Sequence, residues 1–144
     1  MAYCTKTDIE KMLPSADVTD LTDDEGTGAQ VSTRVSEAIA QAYAEIDSHC
    51  GGRYSVPFSS VPDIVKKCSV DIAIYNLYSR RVETIPETRS ERYKNAIRQL
   101  EGIAKGIISI GEDPEPTAST GASYAECNKT ESDRIFTRPK MRGF

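Results

Sequence analysis

The chain has 144 residues, 38% of them hydrophobic and 28% charged, and a formal net charge of −4. That length suits one domain with one core, and no apolar run reaches the roughly 18–20 residues of a membrane span. The opening MAYCTKTDIEKML is too charged for a secretory leader, and so acidic a chain is a poor candidate for sequence-specific DNA binding. We expect it to stay in the cytoplasm where it is made.

In chain order, Thr7-Asp-Ile-Glu10 reads as a capping box that opens a short helix, and Pro14 stops it. Residues 15–28 are rich in Asp, Thr and Gly and read as a solvated acidic loop. DLTDDEGTG lacks the ligand order of a calcium loop. The clearest helix covers 30–50, where Val31, Val35, Ile39, Ala42, Ile46 and Cys50 recur at spacings of three and four. Gly51-Gly52 supplies its C-cap. Alanines at 38, 40, 42 and 44 keep its flanks thin enough for close approach.

Residues 53–61 form an extended loop held to the core by Tyr54, Val56 and Phe58. Pro62 then suits the first turn of a helix running to Arg81. That helix is apolar almost all round, as befits the centre of a bundle or a subunit interface. Asp71 is its exception. A carboxylate there needs a partner, either Lys67 one turn back, a tyrosine hydroxyl, or a group across an interface. Thr88-Arg-Ser-Glu91 reads as a second capping box. The stripe behind it is Tyr93, Ile97, Leu100, Ala104 and Ile107, and Gly111 ends the body. Gly102 and Gly106 within this helix indicate close packing or early fraying.

Residues 112–132 hold Pro114, Pro116 and many Ser, Thr and Gly, a composition that buries too little surface to fold alone. The tip differs. Arg134, Arg138, Lys140 and Arg142 come with no acid between 134 and 144, whereas residues 1–30 hold seven acids against two lysines. Residues 134–138, Arg-Ile-Phe-Thr-Arg, read as a short strand that forms when a partner supplies an edge. The expected partner-binding residues are Arg134, Ile135, Phe136, Arg138, Lys140, Arg142 and Phe144.

Chemistry is hard to find here. Cysteines at 4, 50, 68 and 127 form no CxxC pair and read as reduced thiols. His49 and Cys50 are neighbours, but adjacent helical residues point about 100° apart, and a metal would need two further ligands. We expect no catalytic, cofactor or metal site, and no small-molecule substrate.

The segments YCTKTDIEKML, AIAQAYAEIDSHCGGRYSVPF, VPDIVKKCSVDIAIYNLY, RYKNAIRQLEGIAKGIISIG and RIFTRPKMRGF occur in that order. Together they resemble a Mu-like phage family of unknown function that is similar to head–tail connector adaptors, over nearly the whole chain, and residues 112–132 carry no resemblance. The resemblance implies a virion protein of the phage neck, made in the bacterial host cytoplasm. It would be a helical adaptor forming a homo-oligomeric, dodecameric ring beneath the portal protein. The ring would extend the DNA channel, touch the DNA only passively and receive tail or head-completion proteins. The alternative is a DNA-packaging accessory of the small-terminase type, which would need a basic helix face. The fold expected is all-α, a small bundle of about four helices over 1–111 with an extended arm over 112–144.

Overall fold

A computed structural model describes residues 2–81, 84–112 and 114. Five helices follow in order: α1 (Lys6–Glu10), α2 (Ser15–Thr22), α3 (Ser32–Cys50), α4 (Asp63–Ser79) and α5 (Glu87–Ala104), with no strand among the described residues. The all-α class is as expected. The strand expected at 134–138 and the arm that carries it lie outside the described residues.

The long helices α3, α4 and α5 pack around one core, and α1 and α2 close over α4. The α3 stripe behaves as its spacing requires, with Val35, Ile39, Ala42, Ile46 and Cys50 all buried. Nineteen residues make α3 about 28 Å long. The apolar circumference of α4 is settled as the bundle centre, because every other helix contacts it and Val65, Cys68, Ile72, Ala73 and Leu77 are fully enclosed. Tyr54 and Phe58 anchor the 53–61 loop in the core, and Val56 packs partly against it.

Four local expectations need correction. Residues 15–22 are a helix, not a loop: Val18, Leu21 and Thr22 share a face and are buried, while the acids that dominate the composition point outward. Pro14 therefore starts α2 as its N-cap as well as ending α1. The first capping box is Thr5 with Asp8, two residues earlier than Thr7 with Glu10. The Thr5 hydroxyl accepts from the Asp8 N–H, and the Thr5 N–H donates to the Asp8 carboxylate at 3.1 Å. That register turns Ile9 inward, where it is fully buried.

The second capping box is absent. Pro86, with φ −54°, is the N-cap of α5, so Thr88 already lies inside the first turn. Finally, α5 stops at Ala104 rather than at Gly111. Gly106 takes φ +74°, and the chain reverses with Ile107 N–H donating to Gly102 O at 2.8 Å and Gly106 N–H to Ile103 O at 3.0 Å. This is the Schellman closure that favours glycine. A side chain at Gly106 would also strike the Arg53 guanidinium, and one at Gly102 would meet Ile108, which folds back over it. Both glycines are thus there for close packing.

Candidate assembly surface

The seven arm residues expected to bind a partner lie outside the described residues, so Asp71 is the predicted site residue whose surroundings can be built. It is 5% exposed on α4, with Lys67 Nζ at 3.8 Å and Arg92 Nε, from α5, at 3.8 Å. Lys67 follows from helix spacing. Arg92 comes from the antiparallel packing of α5 on α4, which no local pattern reveals. The carboxylate therefore joins two helices of one chain.

We expect Asp71→Ala to cost about 1–3 kcal/mol of monomer stability. Lys67 and Arg92 are partly exposed and can rehydrate, which keeps the loss moderate. Urea unfolding of the monomer measures it. An unchanged midpoint with weakened assembly would instead place Asp71 at a subunit contact.

A second buried carboxylate lies nearby. Asp8 accepts from the Thr5 hydroxyl at 2.6 Å and is flanked by Lys66 Nζ at 3.1 Å and Lys11 Nζ at 3.2 Å. The Thr5 hydrogen bond, then Lys66 and Lys11, outweigh burial and hold its carboxyl well below the usual range. A depressed folded pKa stabilises the fold above the unfolded value of about 3.9 and loses that contribution as pH falls below it. Asp8→Asn should therefore flatten the decline in melting temperature between neutral pH and about pH 3. Equal declines in the two proteins would rule this contribution out. Asp8, Asp71 and their cations line a groove of about 380 Å³ with Met12 at its rim, 42% exposed.

At the opposite end of α4, Asp24 gathers Arg80 at 2.6 Å, Arg34 at 3.0 Å and Arg81 at 3.8 Å. The same arginines donate to carbonyls that end α2: Arg80 to Leu21, Arg34 to Thr22 and Arg81 to Asp23. Cations at a helix C-terminus satisfy its orphan carbonyls and its dipole. The acidic segment read as solvated loop is thus a clasp for α2, and sequence reasoning missed it because Arg80 and Arg81 lie more than fifty residues away and Arg34 sits on the next helix.

Several other polar groups also serve the fold. The Tyr3 hydroxyl donates to Asp47 and receives the Phe58 N–H at 3.3 Å. Tyr93 stacks on Tyr75 with centroids 4.1 Å apart and donates to Glu45 at 2.9 Å. Burial first, then that bond, pushes its hydroxyl up to about 12. Burial likewise pushes the Cys50 and Cys68 thiols up to about 11, far from the thiolate a nucleophile or metal ligand needs. Cys50 is a core residue, and His49 beside it is half-buried. Among the described residues no group of three or more His, Cys, Asp or Glu could hold a metal ion, and no helix is long and apolar enough to cross a membrane.

Comparison with known proteins adds identity to this geometry. The model of the family described as "Bacteriophage Mu, Gp36" matches residues 3–127. The chain is 32% identical over 113 residues to the Mu-like prophage FluMu protein gp36 of Haemophilus influenzae, covering 77% of this chain and 75% of that protein. It is 29% identical over 147 residues to gene product J of Escherichia phage Mu, covering 100% of this chain and 99% of that protein. The second alignment takes in the basic tip, which the family model does not reach.

Proposed function

Because the chain belongs to the Bacteriophage Mu Gp36 family, we propose that it is a structural protein of the virion neck, a helical adaptor that forms a ring between portal and tail. In this reading the ring is a dodecamer that extends the DNA channel, contacts the DNA passively and receives a tail or head-completion protein. In this reading it performs no catalysis. The observation that carries the reading is the self-sufficiency of the body. The apolar faces of α3, α4 and α5 are spent on one another, and the buried polar groups described above pair within the chain or clasp helix ends. What remains for assembly is the grooved, charged exterior and the basic tip at 134–144.

The packaging-accessory alternative needs a basic helix face, and α5 does not present one. Its exposed Lys94, Arg98 and Lys105 alternate with exposed Glu87, Glu91 and Glu101, and Lys105 pairs with Glu101 at 3.4 Å. Arg92 is turned to Asp71, and Arg89 donates to Met12 O. A channel wall should also bind DNA weakly, since each phosphate contact adds salt-sensitive affinity that impedes sliding. Native mass measurement of the chain alone and with purified portal, together with a duplex-DNA mobility shift at physiological salt, tests both readings. We expect a ring-sized complex with portal and no sequence-dependent shift. A tight, sequence-dependent shift without portal association would establish the alternative.

A further inference from the structure

The groove over Asp8 and Asp71 holds more positive charge than its floor uses. Lys11, Lys66, Lys67 and Arg92 line it with side chains between 41% and 68% exposed, above two buried carboxylates. Lys67 and Arg92 each stand 3.8 Å from Asp71, beyond hydrogen-bond length, so their N–H donors remain for another acceptor. Met12 and Val70 add an apolar strip, and Asp63, the first residue of α4, also lines the groove.

The same chain carries a complementary surface. On α2, Ala16, Asp17 and Asp20 are exposed on the side turned away from buried Val18, Leu21 and Thr22, and residues 15–25 contain no cation. Asp17 and Asp20 join no ion pair among the described residues. The Asp24 clasp and the buried Val18 and Leu21 fix α2 on its own bundle. Its acidic side therefore cannot turn into the groove of its own copy. It is held ready for another molecule, with no ordering cost left to meet on contact.

We propose that the Lys11, Lys66, Lys67 and Arg92 groove of one copy receives the acidic side of α2 from a neighbouring copy. Asp17 and Asp20, three residues apart, share one side of the helix and reach two cations together. Ala16 beside them is small enough to let the helix settle on Met12. Duplex DNA is the poorer occupant. Asp8, Asp63 and Asp71 line the same groove and oppose a continuous run of phosphates, which also has no use for the apolar strip. The two surfaces lie apart on one copy. The groove flanks the N-terminal half of α4, whereas α2 ends beside Arg80, fourteen residues and about 21 Å beyond Lys66. Unlike patches so placed pair head to tail, and such a contact closes into a ring when the rotation permits. Exposed ion pairs are individually weak and screened by salt, so repetition around the ring is what makes them hold. The proposal rests on the ring reading above and names the contact between its copies.

The test reverses charge on each side separately and then mixes the two. Asp20→Lys places a cation near the C-terminal end of α2, where the helix dipole accepts one. Lys11→Glu reverses the most exposed cation of the groove. Full-length chains with purified portal are read by native mass measurement at low salt, with melting temperatures as the control on folding. Each variant alone should lose about tenfold in assembled copies, since like charges then meet at every contact. An equal mixture should regain the unaltered yield, because every contact between unlike variants restores opposite charges. A misfolded variant would gain nothing from mixing. Variants that assemble as well as the unaltered chain, or a mixture that stays apart, would overturn the groove contact. Unchanged rings with duplex-DNA retention lost in Lys11→Glu would overturn it in favour of phosphate. An unaltered chain that stays monomeric with portal defeats the ring and the groove together, whereas a ring indifferent to both reversals defeats only the groove.

Discussion

Leu100→Ala is expected to lower the unfolding free energy by about 2–5 kcal/mol, while Ile107→Ala changes it by less than about 0.5. Both residues sit on the one apolar stripe that spacing assigns to the last helix. Leu100 is fully enclosed between α4 and α5, and its truncation removes buried area and leaves a void the packed bundle cannot fill. Ile107 follows the glycine reversal and is 78% exposed, so its truncation removes almost no buried surface. Urea titrations of the two variants, read by helical circular dichroism, make the comparison. Equal losses would mean that α5 continues past Gly106 and that its C-terminal closure is wrong.

The second large effect is on assembly. Deleting 134–144 should leave the helical spectrum and the melting temperature of the body nearly unchanged and prevent stable attachment to partners. The body already closes its own core, so no described contact depends on the tip. The tip carries four cations and two phenylalanines and no acid. A tether of some twenty residues raises the effective concentration of such a segment near its target, and repetition around a ring turns weak contacts into a firm hold. Co-sedimentation with portal, and particle infectivity after complementation, provide the readout. Truncated chains that still join the connector and yield infectious particles would reduce the tip to a solvated tail.

The sequence by itself determined the class and the main axis of this fold. The three-and-four spacing of Val35, Ile39, Ala42, Ile46 and Cys50 can satisfy only one face of a helix, and an apolar circumference such as that of α4 can only be central or covered. It also carried the resemblance to Mu-like phage proteins, and it paired Lys67 with Asp71, because helix geometry places residues four apart together. The tertiary structure decided everything that depends on distant segments meeting. The acidic stretch 15–24 is helix and clasp only because Arg34, Arg80 and Arg81 arrive from α3 and the end of α4, and composition alone could not supply those cations. Thr5 rather than Thr7 caps α1 because that register buries Ile9 and brings Asp8 to Lys66, a partner on another helix. Gly106 rather than Gly111 ends α5 because Arg53 folds against Gly106 and Ile108 against Gly102, where a side chain would block them. Local spacing is written in neighbouring residues, whereas these choices are made by contacts between parts of the chain that no short window contains together.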